Sequence, residues 1–299
     1  MPESRMDRSD SATDERGAIV GQLKAYVQTI LKRGGLYQRL KASRVYDLYW
    51  SVADRSLVER TQQEIKFYQR FLVGLRRGDL VFDVGANHGS KTEIFLKLGV
   101  RVVAVEPDPT NQEILREKFL TYRMSRKPVI IVRKALSDRV AVETMWIDEP
   151  GSATNTLSPK WVHTLRNDDE RFGRRYDFSQ KTTVETTTLD HLITAHGLPF
   201  FIKIDVEGHE PCVLRGLHHV VPYLSFEVNL PEFRPDGLEC VDVLYHLATD
   251  GKFNYVAGEC EKGFALEGWL GALEFSQVLA QCPDKSIEVF WKSGGPGAN

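Results

Sequence analysis

Residues 80–109 read LVFDVGANHGSKTEIFLKLGVRVVAVEPDP, and this stretch decides the fold. The apolar run from Leu80 to Val84 is too short for a helix and does not alternate with polar residues, which is typical of a strand buried on both faces of a parallel sheet. A glycine turn, a helix that ends at Gly99 and a second apolar run, from Val100 to Val105, follow. This order predicts a strand–helix–strand crossover within an α/β fold.

The turn between Gly85 and Gly89 and the acid Glu106 indicate a ligand. Glycine lets the backbone approach a bound molecule closely, and the helix that follows begins with unpaired N–H groups. Glu106 ends the second strand, where a carboxylate can accept hydrogen bonds from the ribose hydroxyls of a nucleoside. The glycine spacing differs from the Gly-x-Gly-x-x-Gly that binds a pyrophosphate. We therefore expect a nucleoside without a diphosphate, and a unit whose glycines serve only packing is the alternative.

The composition excludes several classes of protein. The 299 residues are 42% apolar, enough for a sizeable core, and the formal net charge of −2 argues against broad electrostatic binding to nucleic acid. The four cysteines form no Cys-x-x-Cys pair, which argues against a zinc knuckle or a disulfide scaffold. No apolar run is long enough to span a bilayer, and the N-terminus lacks the core of a signal peptide, so we expect a cytoplasmic protein.

We expect four segments along the chain. Residues 1–16 are polar and form a disordered tail, residues 17–77 form an N-terminal helical extension, residues 78–292 form the main domain, and residues 293–299 form a flexible tail. A capping box at Thr61–Glu64 predicts the start of the third helix of the extension. The extension is rich in aromatic residues, which indicates either ordinary helix packing or a lid over a substrate. The polar stretch 148–181 is expected to be a loop, either solvated or part of that lid.

A second informative stretch, residues 200–217, reads FFIKIDVEGHEPCVLRGL and predicts a buried strand that ends at Asp205 before a turn and a helix. The next strand, from Leu224 to Val228, carries Glu227 near its end. In open parallel sheets ligands bind at the carboxyl ends of the strands. Four carboxylates crowded at that edge would repel one another, so a group that is cationic or rich in hydrogen bonds should share the site, such as a ligand sulfonium or ammonium, Lys203 or a divalent cation. The four acids are Asp83, Glu106, Asp205 and Glu227.

Two groups of motifs resemble known methyltransferases. Asp83-x-Gly-x-x-x-Gly89 resembles motif I of the S-adenosylmethionine-dependent enzymes, and Lys203-Ile-Asp-Val-Glu-Gly-His-Glu210 resembles the hallmark of the FkbM-type methyltransferases. Further matches are Val105–Pro109, Ala135–Asp138, Thr188–Asp190 and Val213–Gly216. The resemblance covers about residues 79–291. It implies a class I methyltransferase (Rossmann-like) fold, with a mostly parallel seven-stranded sheet and helices on both faces. It also implies S-adenosyl-L-methionine as methyl donor and a hydroxyl acceptor on a sugar or natural product.

The motifs define a set of candidate site residues. The expected cofactor-binding residues are Asp83, Gly85, Ala86, Asn87, Gly89, Glu106, Pro107, Leu136, Ser137 and Asp205, with Leu136 or Ser137 near the adenine. The expected catalytic residues are Asp205, Glu207, His209 and Glu210, and the expected substrate-binding residues are Glu227, Lys203 and His88. Asp205 is our first choice as general base, because burial and neighbouring acids raise the pKa of a carboxylate. Asp205 and Glu227 would instead bind a divalent metal if the enzyme uses one.

Other functions fit the sequence less well. A nicotinamide-dependent oxidoreductase would require a pyrophosphate motif, and a non-catalytic nucleoside-binding module could lose Asp205 and Glu210, which are both present. A nucleic-acid methyltransferase would usually carry Asn/Asp-Pro-Pro-aromatic where this chain has Asp205-Val-Glu-Gly. We therefore expect a small-molecule or glycan acceptor and no nucleic acid. The sequence leaves open the acceptor, the need for a metal and the formation of a homo-oligomer.

Overall fold

The structure is a computed structural model that describes residues 55–120, 129–168, 171, 173–258 and 263–294. The chain divides into two compact units, Met1–Ala53 and Asp54–Asn299. The expected tail 1–16, the first two expected helices and the last residues of the expected C-terminal tail lie outside the described residues. No helix within the described ranges is long and apolar enough to cross a membrane.

Seven strands form the central sheet in the order β3-β2-β1-β7-β8-β10-β9. Only β10 runs antiparallel to its neighbours, β8 and β9, and the other pairs are parallel. A mostly parallel seven-stranded sheet was expected from the sequence, and it is confirmed. The strands of the chain are β1 Leu80–Val84, β2 Arg101–Val105, β3 Val129–Val132, β4 Ala135–Leu136, β5 Val142–Ile147, β6 Gln180–Thr187, β7 Phe201–Ile204, β8 Tyr223–Asn229, β9 Lys252–Ala257 and β10 Ser286–Lys292.

Helices cover both faces of the sheet, as expected. One hydrophobic cluster joins the sheet to α4–α8, and a second cluster joins its other face to α1–α3. Successive side chains of a strand point to opposite faces, so in β1 Phe82 belongs to the first cluster and Val81 to the second. The helices are α1 Arg55–Phe71, α2 Ser90–Lys97, α3 Pro109–Lys118, α4 Pro159–Asn167, α5 Leu189–His196, α6 Glu210–Arg215, α7 Arg234–Leu247 and α8 Ala272–Gln281.

Helix α1 belongs to the core of the second unit. It begins at Arg55, so the prediction that a helix starts at Thr61 is wrong, and the expected capping box lies inside the helix. The ring of Tyr68 lies 5.1 Å from that of Phe95, and the ring of Phe71 lies 5.0 Å from that of Phe290. The aromatic residues of this helix therefore pack on the sheet. The aromatic residues from Tyr37 to Trp50, for which packing and a lid were the two interpretations, lie outside the described residues.

The stretch 148–181 is more ordered than expected. Ser158 accepts a hydrogen bond from the backbone N–H of Trp161 and caps α4, with Pro159 at the first helical position. The prediction of a continuous loop is therefore wrong for residues 159–167, because the Ser-Pro pair begins a helix rather than a turn. Strand β6 then pairs with β5 and β4 in a separate three-stranded sheet. Residues 148–158 remain irregular and reach the carboxyl edge of the large sheet.

Candidate active site

A cleft open to solvent lies at the carboxyl ends of β1, β2 and β7. From the expected site residues the cleft brings together Gly85, Asn87, Glu106, Pro107, Leu136, Asp205, Glu207 and His209. The other expected residues do not line it: Asp83, Ala86, His88, Gly89, Ser137, Lys203, Glu210 and Glu227.

The two glycines of the first turn have different roles. Gly85 has φ +81°, and a Cβ built there would lie 1.7 Å from the carbonyl oxygen of Asp205, so the ends of β1 and β7 approach closely only with glycine. Gly89 has φ +75°, and a Cβ there would meet the side chains of Phe119 and Leu115. Gly85 therefore shapes the cleft, whereas Gly89 allows the packing beneath it.

Glu106 connects the first turn to the end of β2. One oxygen of its carboxylate accepts the backbone N–H of Asn87 at 2.8 Å, and the other accepts that of Asp108 at 2.8 Å. Burial raises the pKa of Glu106 to about 7 against the effect of these hydrogen bonds. Each oxygen of a carboxylate has two lone-pair sites, so both can still accept a hydrogen bond from a ligand. Glu106 is thus fixed in place at the wall of the cleft.

Asp205 has a cationic partner. The Nζ atom of Lys203 lies 2.8 Å from Oδ2 of Asp205. Burial acts to raise the pKa of Asp205, but the attraction and hydrogen bond of Lys203, together with a hydrogen bond from Glu227 and the attraction of Lys91, outweigh it, and the pKa lies below its usual value. The expectation that the pKa of Asp205 is raised is therefore wrong. The neighbouring acids were foreseen, but the ammonium group two residues earlier in the strand dominates them.

The pKa values of Glu207 and Glu227 shift in the opposite direction to that of Asp205. Burial, together with the neighbouring carboxylates, raises the pKa of both groups well above the usual value. Oxygen atoms of Asp205, Glu207 and Glu227 all lie within 4.8 Å of one another, and we call these three residues the acid cluster. Glu207 has φ +56°, a conformation that non-glycine residues rarely adopt. The acid cluster can share a proton, and its oxygen ligands could also hold a divalent cation.

Asp83 and Lys203 lie beneath the cleft on the face that carries α2. They are register partners in β1 and β7, so both side chains point to the same side of the sheet. The Asp83 carboxylate is buried and accepts a hydrogen bond from the Thr92 hydroxyl at 2.5 Å. Because side chains alternate along a strand, both residues point away from the cleft. Asp83 therefore supports the first turn through Thr92 and does not line the cleft.

Three further expected residues have structural contacts. The Glu210 carboxylate accepts backbone N–H groups of Val206 at 3.0 Å and Gly208 at 3.3 Å, so it holds the turn after β7. Ala86 is buried in the second hydrophobic cluster. The carbonyl of His88 accepts a hydrogen bond from Lys118 at 3.4 Å. These contacts stabilise the two turns that frame the cleft.

His209 lines the cleft beside Ser137. Its Nε2 atom lies 3.3 Å from Oγ of Ser137, which in turn lies 3.2 Å from Oε1 of Glu143. Burial lowers the pKa of His209, so the imidazole is neutral at physiological pH. This row of side chains closes the cleft on the side of β4.

Residues 151–157, within the stretch that was expected to be either solvated or part of a lid, form one wall of the cleft. Asp108 accepts hydrogen bonds from Gly151 N at 3.0 Å and Asn155 Nδ2 at 2.8 Å, and Thr156 Oγ1 donates to the Glu207 carbonyl at 2.8 Å. These contacts join residues more than 40 positions apart in sequence, so they are seen only in the folded structure. The wall residues in the cleft are Ser152, Ala153, Asn155, Thr156 and Leu157.

The cleft offers acceptors that suit a nucleoside with an amino acid tail. The Oδ1 atoms of Asn87 and Asn111 are buried at its wall and receive no hydrogen bond from the described residues. A buried acceptor without a donor is unfavourable, so a ligand with hydroxyl, amine or ammonium donors would relieve it. Apolar side chains such as Leu136 and Met145 provide a surface for a base. The residues present therefore fit S-adenosylmethionine.

Comparison with known proteins agrees with this chemistry. The family model described as "Methyltransferase FkbM domain" matches residues 83–244. The 31-O-demethyl-FK506 methyltransferase FkbM of Streptomyces tacrolimicus is 31% identical over 169 residues, which are 50% of this chain and 64% of the relative. The matched region thus spans less than two thirds of that relative's length.

Solved structures of methyltransferases are also similar to the chain. The C-terminal domain of precorrin-6Y C5,15-methyltransferase from Rhodobacter capsulatus has 14% identity and a TM-score of 0.36, covering 74% of this chain and 83% of its own. The TehB-like SAM-dependent methyltransferase from Corynebacterium glutamicum has 10% identity and a TM-score of 0.40, covering 77% and 87%.

Proposed function

The chain belongs to the FkbM methyltransferase family, whose members depend on S-adenosylmethionine, and on that premise we propose that it methylates a hydroxyl group of a sugar or natural-product acceptor. The 31%-identical relative is named for an acceptor that lacks a methyl group on oxygen, which supports oxygen as the atom methylated. The acceptor is a small molecule or a glycan in this proposal.

The donor would occupy the cleft at the ends of β1 and β2. When bound, S-adenosylmethionine supplies a methyl group activated by its sulfonium. Glu106 would accept hydrogen bonds from the ribose, and the turn from Gly85 to Asn87 would lie against the rest of the nucleoside. Pro107 and Leu136 would contact the adenine. Because the methyl group is already activated, the protein has to align the acceptor oxygen and remove one proton.

The observation that carries the proposal is the acid cluster beside this cleft. Glu207 lines the cleft, and its pKa is raised well above the usual value by burial and by Glu227 and Asp205. A carboxylate with a raised pKa is a stronger proton acceptor near neutral pH. We assign Glu207 as the general base, which moves this role from Asp205 to its neighbour.

Asp205 and Glu227 have supporting roles in this assignment. Lys203 keeps Asp205 ionised, so Asp205 accepts a proton less readily than Glu207 does. It would accept hydrogen bonds from the acceptor or from the ammonium group of the donor. Glu227 accepts hydrogen bonds from Ser286 at 3.0 Å and Asn229 at 3.2 Å, which fix its side chain next to Glu207. It would bind a second hydroxyl of the acceptor and share the proton that Glu207 takes up.

The mechanism proposed here uses no metal. Lys203 already neutralises one carboxylate of the acid cluster, and a shared proton reduces the repulsion between the others. A chelator should therefore leave methyl transfer unchanged, with addition of Mg²⁺ or Mn²⁺ to the untreated enzyme as the matching control. Loss of activity with chelator, restored by one of these ions, would instead assign the acid cluster as a metal site.

A direct test is a methyl-transfer screen with S-adenosylmethionine carrying a labelled methyl group. The panel should contain glycosides, free sugars and hydroxylated polyketides, each paired with an analogue in which the hydroxyls are blocked. Labelling of a hydroxylated compound but not of its blocked analogue is the expected result. Transfer only to nitrogen or carbon atoms of the panel would contradict the proposal of O-methylation.

A further inference from the structure

A second groove lies on the face of the sheet that α1 covers, and it shares no lining residue with the cleft described above. One side of α1 and the segment that contains Gly263 and Phe264 line it, and we call it the aromatic groove. Phe67 and Phe71 form its floor and are 8% and 5% exposed. The ring of Phe264 lies 5.1 Å from that of Phe67 and 5.7 Å from that of Phe71. None of the sequence motifs includes these residues.

Trp269 extends the aromatic surface of this groove. Its ring lies 5.0 Å from that of Phe264 and stacks on that of Phe71 at 5.8 Å, with an angle of 9° between the planes. Phe264 and Trp269 are half-buried, so part of each ring remains accessible. Neighbouring aromatic rings in a concave site provide a flat apolar surface against which the ring of a ligand can pack.

Basic side chains surround these rings. Lys66 and Arg70 are exposed, line the groove and lie on one face of α1, because they are four residues apart. No carboxylate of the described residues forms an ion pair with either of them. On the other side, the Nζ atom of Lys292 lies 5.2 Å from the ring centre of Trp269, and Lys252 is the register partner of Lys292 in β9. Like charges directly opposite each other in a sheet repel, and a bound anion would reduce this repulsion.

The acids of residues 263–274 offset these charges only in part. Glu274 accepts the backbone N–H of Gly271 at 3.1 Å, and Glu267 is exposed. The groove therefore presents a basic rim above an aromatic floor. A ligand that fits both parts combines a ring that has an apolar face with an anionic group.

We propose that the aromatic groove binds an acidic saccharide. One face of a sugar ring presents C–H groups, which would pack against Phe264 and Trp269, and a carboxylate, sulfate or phosphate substituent would lie at the basic rim. A membrane surface is a poorer fit, because it requires apolar side chains that protrude from the protein, whereas Phe67 and Phe71 lie below the charged groups.

The position of the groove gives this saccharide a role in the reaction. Gln63 lines the groove, and the next residue, Glu64, forms an ion pair with Lys91 in the first turn of α2. One end of the groove therefore lies near the carboxyl edge of the sheet, where the acid cluster is. The groove would hold a distal sugar unit of the acceptor while a hydroxyl of a nearer unit reaches Glu207. This role rests on the proposed function, whereas binding of the saccharide does not.

Calorimetry with the full-length protein tests the binding. The acidic probes are trigalacturonic acid and a heparin-derived tetrasaccharide, and the neutral probe is the methyl ester of trigalacturonic acid, in which every carboxylate is blocked. We expect the wild type to bind trigalacturonic acid more tightly than its ester. A rise in NaCl from about 0.05 M to about 0.5 M should weaken binding of the acid, because salt screens exposed charges, and should leave binding of the ester nearly unchanged.

Two variants separate the charges from the aromatic surface. Replacing both rim cations, Lys66→Gln with Arg70→Gln, should weaken binding of trigalacturonic acid by about three- to thirtyfold and spare the ester. Trp269→Leu should weaken both ligands by about two- to tenfold. The matched control is Arg116→Gln with Arg175→Gln, which removes two exposed cations elsewhere and should change neither affinity. Thermal unfolding checks that each variant is folded.

Three results would overturn the inference: neither acidic probe binds, the ester binds as tightly as the acid, or the variant at Lys66 and Arg70 matches its control. Binding to vesicles of phosphatidylglycerol without binding to either acidic probe would assign the groove to a membrane surface instead. None of these measurements uses the methyl donor. If the saccharide binds as expected but the methyl-transfer screen labels no hydroxyl, the proposed function fails and the groove stands; the reverse pattern removes only the groove.

Discussion

Glu106 and Glu207 are both acids at the carboxyl edge of the same sheet, but their surroundings differ. Two backbone N–H groups, each at 2.8 Å, hold the Glu106 carboxylate. The charged groups that act on Glu207 are mainly other carboxylates, those of Glu227, Asp205 and Glu210, and they raise its pKa. The first acid is held in one position by donors, whereas the second is kept as a proton acceptor by repulsion.

The difference indicates how one edge can serve two steps of a transfer reaction. A site that binds the donor works best when its acceptors are already oriented, because orientation then costs nothing at the moment of binding. A general base works best when its pKa lies near the working pH. The fold achieves both because donors surround the end of β2 and acids surround the turn after β7.

The largest effect is expected for Glu207→Gln. This change keeps the shape of the side chain and removes the proton acceptor, so turnover should fall by about 10²–10⁴. Binding of S-adenosylhomocysteine, measured by calorimetry, should stay close to that of the wild type, because Glu106 is untouched. In the wild type, turnover should rise with pH as Glu207 loses its proton, and this rise should lie above the pH range of an ordinary glutamate. Normal turnover in the variant would remove Glu207 as base.

Glu106→Ala should weaken binding at the proposed donor site. The change removes charged hydrogen bonds to the ribose, each about 1.5–3 kcal/mol, so the affinity for S-adenosylhomocysteine should fall by at least tenfold. The wild type should bind this ligand more tightly as the pH rises through about 7, because the ionised carboxylate is the better acceptor. Unchanged affinity in calorimetry at pH 8 would contradict the assignment of the donor cleft.

Glu210 sharpens the comparison because it follows Glu207 in sequence but is held by backbone donors, as Glu106 is. Burial raises its pKa to about 7 in the folded protein. A raised carboxyl pKa means that the folded state favours the neutral form, so its contribution to stability is largest below pH 4.5 and is lost as the pH rises through 7. This loss is about 2 kcal/mol between pH 5.5 and 8.

Denaturant unfolding of Glu210→Gln at several pH values measures this contribution. The free energy of unfolding of the variant should fall less steeply with pH than that of the wild type, because glutamine does not titrate. The same experiment on Glu185→Gln, an exposed residue of β6, provides the control. Parallel pH profiles for Glu210→Gln and the wild type would show that Glu210 does not titrate with a raised pKa.

Asp205→Asn should give the smallest effect. The variant leaves Lys203 without its carboxylate partner, and because a third of the Asp205 side chain is exposed, the loss in unfolding free energy should be about 1 kcal/mol. Turnover should fall by less than tenfold, far less than in Glu207→Gln. The opposite order of the two variants would return the role of base to Asp205.

Much of the fold could be predicted from local patterns. The apolar runs at Leu80–Val84 and Phe201–Ile204 became fully buried strands. The stretch Thr187–Asp190 predicts the cap of a short helix that stops at His196-Gly197, and Thr188 caps α5. The sequence also predicts a helix over roughly Val241–Ala248, but α7 begins earlier, at Arg234, and α8 was not predicted. In both helices the N-cap residue provides no side-chain hydrogen bond, so the strongest start signal is missing and only weaker ones remain: Pro235 in the first turn of α7, and Glu274 of α8, which accepts the backbone N–H of Gly271.

The sequence by itself determined the family, the parallel sheet and the acids at its edge, because strand runs, glycine turns and motif spacing are local properties of the chain. The tertiary structure determined the surroundings, and with them the proposed role, of each acid. Lys203 pairs with Asp205, and the segment from Gly151 to Thr156 reaches Asp108 and the turn of Glu207. The pKa of a carboxylate depends on burial and on neighbours from distant segments, and only the folded chain brings these together.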